Sequence, residues 1–230
     1  MPSIKDNLDK INKQIIDTAM SSGRKPEKIQ LVAVSKRKSV EAMIECIKAG
    51  AKHFGENYIQ EAIDKINQIG KDAACWHFIG HLQSNKAKFA VKYFDYIHTV
   101  DTIKLAREID KQAKKINKIQ KILVQVNIGE EDTKSGAKIE DTMQLITQIK
   151  AYPNLSIKGL MCMPPYYSDP DQARIYFQQL ARIKKEIINQ QNETESMEHL
   201  SMGMSNDFKV AIEEGSTMIR VGTSIFGRRD

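Results

Sequence analysis

The sequence lacks any apolar run approaching the roughly 18 residues needed to span a bilayer, so no membrane-spanning helix is expected. It also lacks a secretory leader. The opening MPSIKDNLDKINKQI has neither an apolar core nor a small-residue cleavage site, and it carries acidic residues that transit peptides avoid, so a cytoplasmic address is expected. Cysteine is scarce. The three present, Cys46, Cys75 and Cys162, are odd in number and far apart without a C-x-x-C pair, which points away from a disulfide framework and from a thiolate metal site. No G-x-G-x-x-G follows the first predicted strand, so the dinucleotide fingerprint is missing too. Gly222 and Gly227 have the spacing of a P-loop, but Arg228 and Arg229 stand where Lys and Ser/Thr are required. His77 and His81 have the i, i+4 spacing of a zinc helix. However, WHFIGH reads as a strand entering a loop, and no H-E-x-x-H glutamate accompanies the pair, so no metal is expected.

What is present is an ordinary globular composition: 230 residues, 41% hydrophobic and 28% charged, enough for one large core without a second domain. The formal charge of +6 raises nucleic-acid binding as an option. The placement of the cations argues against it. Lys104, Arg107, Lys111, Lys114, Lys115 and Lys118 interleave with Ile103, Ala106, Ile109 and Ala113 at helical spacing, which is the pattern of a solvated helix face.

Along the chain, a leading helix over Ser3 to Met20 carries Ile4, Leu8, Ile11, Ile15 and Ala19 at helical period. From Ile29 onward short β-like runs alternate with longer helical ones. The strands fall at 30–35, 53–55, 76–80, 96–100, 122–127, 157–161, 199–201 and 218–222. Helices are predicted at 40–49, 58–69, 85–91, 103–115, 139–152, 171–188 and 207–214. Eight β-runs separated by helices is the count that closes a (β/α)8 TIM barrel, an α/β fold, here as a single domain over residues 1–230 with an extra N-terminal helix. The segments MPPYYSDP and NQQNETES read as loops within that domain.

In such a barrel the active groups come from the C-terminal strand ends. That rule selects Lys36, Glu56 with Asn57, His81, Asn127, Met161, the SMGMS run after His199, and Arg220 with Gly222 and Thr223. Period-two alternation puts Val32, Val34 and Lys36 on one face of the first strand. Lys36 therefore ends a row of barrel-facing apolar residues, beside Arg37 and Lys38, where desolvation and like charge favour the neutral amine used in imine chemistry. A lysine snorkelling to water from a strand end fits the same pattern. The turns Ser201–Ser205 and Gly222–Ser224 each offer a glycine, hydroxyls and a following helix start, the groups that bind phosphate in this fold, although each alone is also an ordinary helix start.

The segments LVAVSKRKS, HFGENYIQEA, WHFIGHLQSNK, QVNIGEEDTKSG, GLMCMPP, HLSMGMSNDF and STMIRVGTSIFGRR together resemble the pyridoxal phosphate homeostasis protein family, whose barrel is similar to the N-terminal domain of alanine racemase. The likeness runs from about Ile29 to Arg229. It implies pyridoxal 5′-phosphate (PLP) in the barrel mouth, as a Schiff base on Lys36. Asn57 would lie near the ring and Met161 against one face. Ser201, Ser205, Gly222 and Thr223 would receive the phosphate, and Arg220 would meet the pyridine nitrogen. An arginine there keeps that nitrogen unprotonated and weakens the ring as an electron sink. With the chain ending at Asp230 and no second domain to supply a base, the expected role is intracellular PLP (vitamin B6) homeostasis without robust turnover. The alternative is a PLP-dependent amino-acid racemase drawing a second base from Tyr58, His81 or His199. A monomer that passes PLP to apo PLP-dependent enzymes is expected.

Overall fold

In a computed structural model, residues 3–131, 134–191 and 197–227 are described. The strands β1 (Gln30–Val34), β2 (His53–Glu56), β3 (Cys75–Phe78), β4 (Tyr96–Val100), β5 (Gln120–Val126), β6 (Leu155–Cys162), β7 (His199–Met204) and β8 (Met218–Val221) close into a barrel in sequence order. All neighbours are parallel and β8 pairs back onto β1, with Gln30 opposite Met218 and Val32 opposite Arg220. This is the expected (β/α)8 barrel. Its outer wall is built from α2 (Val40–Lys48), α3 (Ile59–Ile69), α4 (Ala87–Tyr93), α5 (Ile103–Lys115), α6 (Ile139–Ile149), α7 (Arg174–Gln191) and α8 (Phe208–Glu213).

Each predicted strand lies on an observed one, and the largest displacement is at β7, which continues three residues past Ser201 to Met204. The run NQQNETES departs from expectation because Asn189 to Gln191 finish α7, while 192–196 lie outside the described residues. Arg228, Arg229 and Asp230 lie outside them as well.

The helix after β8, α9 (Thr223–Phe226), has only four residues and cannot cover a barrel strand by itself. The leading helix α1 (Ile4–Ser21) takes up that place, packing against α8, α9 and α2. Its start is fixed by a capping box: the Asp6 amide donates to Ser3 Oγ at 3.1 Å, and the Ser3 amide donates to Asp6 Oδ2 at 3.0 Å. Leu8, Ile11, Ile15 and Ala19 form its buried stripe. Beyond its end, Arg24 donates to the Ser216 carbonyl at 2.8 Å and fastens the helix to the α8–β8 connection.

Strand alternation divides the remaining side chains into two cores. Outward residues such as Phe54, Trp76, Phe78 and Ile97 pack under the helices. The interior holds an apolar layer of Tyr96, Leu123, Met161 and Met218, with a polar file of histidines beside it.

If α1 is part of the wall, truncating its most buried leucine should cost as much as a core deletion. Leu8, 1% exposed, is the test. Leu8→Ala is expected to lower unfolding free energy by about 2–5 kcal/mol in urea titration. A loss below about 0.5 kcal/mol would make α1 a dispensable appendage.

Candidate functional site

A cleft of about 270 Å³ opens at the C-terminal end of the barrel, close to the small end of the range of roughly 300–1,000 Å³ for ligand pockets. Val34, Lys36, Asn57, Ile79, Ser205, Arg220, Gly222 and Thr223 all line it. Six of the eight residues expected at a cofactor are therefore on its walls.

Lys36 is half-buried in the turn after β1. Arg37, next in the chain, has φ of 59°, the left-handed region that a side chain with a Cβ rarely adopts, so the turn must be held from outside. A buried ion cluster holds it. The Lys65 ammonium on α3 donates to the Ser35 carbonyl at 2.7 Å, to Glu56 Oε1 at 2.9 Å and to Glu61 Oε1 at 2.6 Å. The Ser35 hydroxyl donates to Glu56 Oε1 at 2.7 Å, and the Arg37 amide donates to Glu61 Oε1. The residues on either side of Lys36 are thus tied to one helix. Glu56, 0% exposed, points outward to this cluster and not into the mouth, because alternation along β2 sends Gly55 and Asn57 inward. Burial raises its carboxyl above the ordinary value, opposed by Lys65 and Ser35. The Arg37 guanidinium lies over the Tyr58 ring at 5.9 Å, and Lys38 donates to the Phe226 carbonyl at 3.1 Å.

Opposite Lys36, the two loops expected to bind phosphate meet. The Gly222 amide is 3.3 Å from Ser205 Oγ, and the Thr223 hydroxyl is 3.1 Å from the same atom. A Cβ on Gly222 would come within 3.1 Å of the Val34 carbonyl, so this position is small because β1 runs against it. Ser201 is not in this group. It is fully buried in the middle of β7, and its hydroxyl accepts from Arg220 Nη1 at 2.7 Å below the cleft. The longer β7 explains the displacement: Ser201 stays in the strand, while Ser205 reaches the loop. Between them the pairing with β8 slips at Gly203, whose φ is 91° and whose added Cβ would lie 2.5 Å from Ala211 Cβ on α8.

Arg220 is 3% exposed, and its Nη2 donates to the Cys162 carbonyl at 2.9 Å. Behind Ser201 runs a file of imidazoles. His98 Nδ1 is 3.0 Å from Ser201 Oγ, His77 Nδ1 is 2.9 Å from His98 Nε2, and His53 Nδ1 is 3.0 Å from His77 Nε2. Burial lowers the pKa of all three, with Arg220 adding to the effect on His98, which favours the neutral imidazole at each. Asp207 also lines the cleft. Its Oδ1 accepts from the Met204 amide at 2.6 Å, and burial raises its carboxyl although Met204 and Arg220 oppose that.

The other expected residues spread out. Met161 is fully buried and packs with Tyr96, Leu123 and Met218, bordering a second cavity that shares Asn57 and Ile79 with the cleft. His81 borders that cavity as well, with Nδ1 3.1 Å from the Ser135 hydroxyl. Asn127 instead ties down its own loop by donating to the Glu131 carbonyl at 2.9 Å. His199 begins β7 at the opposite end of the barrel, where Nδ1 meets Thr217 Oγ1 at 3.3 Å, and burial lowers it to about 4. It is therefore no second base for the mouth.

Sequence reading missed Lys65, Asp207 and the histidine file. Lys65 stands among Ala62, Ile63 and Ile66 on the buried face of α3, and that misplacement was the available signal. The residues present fit a phosphorylated aromatic aldehyde on two counts. Ser205, Gly222 and Thr223 converge into an anion cradle, and Asn57 Oδ1 on the cleft wall is buried without a hydrogen-bond partner among the described residues.

Comparison with known proteins gives the same direction. Residues 7–230 match the family described as alanine racemase, N-terminal domain. The pyridoxal phosphate homeostasis protein of Vibrio alginolyticus is 42% identical over 234 residues, covering 100% of this chain and 99% of its own length. That of Escherichia coli strain K12 is 38% identical, covering 100% and 98%. The PLP-bound structure of PipY from Synechococcus elongatus superposes with a TM-score of 0.82 at 36% identity, covering 93% of this chain and all of PipY. The alanine racemase of Clostridium difficile, at 17% identity and a TM-score of 0.73 over 57% of its length, shares the fold.

The cluster under Lys36 makes a stability prediction. Lys65→Met strands the buried Glu56 carboxyl and is expected to destabilise the fold by about 3–5 kcal/mol. Adding Glu56→Gln should recover a large part of that loss. Urea midpoints for the single and double variants check it. A single-variant loss under about 1 kcal/mol would mean that the cluster does not hold the turn.

Proposed function

This chain belongs to the pyridoxal phosphate homeostasis proteins, within the alanine racemase N-terminal domain family, and from that premise we propose that it binds PLP in the barrel mouth and buffers its supply. The observation that carries this reading is the convergence of Lys36, Arg220 and the Ser205–Gly222–Thr223 cradle on one cleft. PLP, when bound, would supply an aldehyde for imine formation and an electron-withdrawing ring. Lys36 provides the amine from a turn fixed on both sides by Lys65 and Glu61. The backbone amide of Gly222 and the hydroxyls of Ser205 and Thr223 bind the phosphate. Asn57, whose Oδ1 is buried on the cleft wall, would face the ring, and Met161 on the wall of the adjoining cavity would supply apolar surface to it.

Arg220 presents its guanidinium to the pyridine nitrogen as a donor that does not give up its proton, which weakens electron withdrawal and disfavours carbanion chemistry. Ser201 is assigned a different role from phosphate binding: it braces Arg220 from below. Support for a carrier without robust turnover comes from the three second-base candidates. His199 is at the far end of the barrel, Tyr58 lies under Arg37, and His81 pairs with Ser135. In this reading the chain acts in the cytoplasm as a monomer, with apo PLP-dependent enzymes as recipients.

Borohydride reduction of the PLP-loaded protein, followed by peptide mass mapping, tests cofactor and attachment together. The added mass is expected on the peptide containing Lys36 and on none in Lys36→Ala. A label elsewhere, or a protein that stays colourless with PLP, overturns the assignment. Arg220→Gln is expected to shift the visible spectrum and weaken retention by roughly 10–100-fold, the loss of a charged hydrogen bond. An unchanged spectrum and affinity would make Arg220 structural. Enzyme-like interconversion of amino-acid enantiomers that depends on Lys36 would replace the carrier with a racemase.

A further inference from the structure

The floor of the barrel carries a second constellation that PLP binding leaves unused. β2 and β3 begin there, with His53 opposite Cys75 in the parallel register. His77 is two residues beyond Cys75, so all three share the barrel-facing side. Each offers one donor atom, His Nδ1 or Nε2 or Cys Sγ, and the three lie within 4.8 Å of one another. We propose that His53, Cys75 and His77 form a binding site for a divalent transition-metal ion of the zinc class on the barrel floor.

The two imidazoles already stand near the spacing such an ion needs, and the Cys75 sulfur, within 4.8 Å of both, has to close in on it. With Zn–N bonds near 2.0–2.1 Å, tetrahedral angles set two imidazole nitrogens roughly 3.3 Å apart. His53 Nδ1 and His77 Nε2 are 3.0 Å apart, so a small opening admits the ion. Two nitrogens and a thiolate are a borderline-soft set that selects Zn2+ or Co2+ over Mg2+ or Ca2+. The outer shell follows the pattern of ligating histidines, whose second nitrogen is nearly always held. His77 Nδ1 meets His98 Nε2 at 2.9 Å. Asp95, whose Oδ2 accepts from the Trp76 amide at 2.8 Å, adds a negative charge next to Cys75. Lys52 beside His53 and Lys121 beside Cys75 and His77 are neighbouring cations, and the Lys121 ammonium sits over the Tyr96 ring at 5.0 Å. His53 and Cys75 are only half-buried, which gives the ion a route in and leaves its fourth position to water.

Binding balances as one exchange: both imidazoles bind as neutral bases, the Cys75 thiol loses its proton to solvent, and one proton is released per ion. A metal on His77 Nε2 leaves the His77 proton on Nδ1. The hydrogen bonds then run from His77 to His98 and from His98 to the Ser201 hydroxyl, which also accepts from Arg220. Without the ion the same file can run in either direction.

The experiment is a Co2+ titration of the full chain, untagged, stripped with chelator and freed of PLP, so its outcome does not depend on the cofactor reading. One equivalent should bind with the intense visible bands of tetrahedral cobalt and a near-ultraviolet thiolate charge-transfer band, and Zn2+ should displace it stoichiometrically. Cys75→Ser should abolish the near-ultraviolet band. His53→Ala should weaken Zn2+ binding by on the order of 100-fold, and His98→Phe by roughly 10-fold. Because the unmodified protein's spectrum is decisive by itself, a variant that fails to fold does not shield the proposal. Less than one equivalent of cobalt, an octahedral spectrum, or a sulfur band that persists in Cys75→Ser would each overturn it.

Discussion

A guanidinium with 3% exposure inside a barrel has to be held by dipoles, and the way Arg220 is held organises much of the interior. Desolvating such a charge costs several kcal/mol unless its protons are satisfied. The Ser201 hydroxyl and the Cys162 carbonyl each accept one donor, and the Asp207 carboxylate adds a favourable field. The charge then constrains its neighbours. A second cation in the same low-dielectric space would be repelled, and His98 is held uncharged partly by Arg220 itself. Burial is what disfavours charge along the rest of the file, and Arg220 adds to it where the file comes nearest.

The same strand ends serve two purposes on their two faces. On β1 the inward side carries Val34 and then Lys36 to the cleft, while the outward side sends Ser35 to Glu56 and Lys65. On β2 the inward side carries Gly55 and Asn57, and the outward side delivers Glu56. A lysine in a turn that includes a left-handed arginine would otherwise sample many positions. Tying Ser35 and Arg37 to one helix leaves it few, so the ion cluster beneath the turn fixes where the Lys36 side chain enters the cleft.

Strand count, barrel closure, the leading helix and the inward aim of Lys36 were legible because each follows from a period of 2 or 3.6 along one segment. Ser205, Gly222 and Thr223 were legible because they sit in turns whose glycines mark them. Ser201 was not, since its place depends on how far β7 runs, and the slip at Gly203 is set by the packing of Ala211 and Phe208 on α8. Glu56 was counted with the mouth because it adjoins Asn57, although alternation already put the two on opposite faces. Lys65 required knowing which helix covers β2. The histidines were hidden for a related reason: His53, His77 and His98 come from three strands, and only lateral register lines them up. A search at i, i+4 finds His77 with His81, whereas the fold pairs His77 with His53 and His98.

That file also ties the two ends of the barrel together. Each hydrogen bond in it holds a single proton between two nitrogens or a nitrogen and an oxygen, so the tautomer of one imidazole fixes the next. Whatever sets His53 and His77 at the floor therefore sets the role of the Ser201 oxygen under Arg220. A serine that accepts from both His98 and Arg220 keeps its own proton available for a third partner, while one that donates to His98 does not. The imidazole file at the floor and the guanidinium that lines the cleft are thus joined through one hydroxyl.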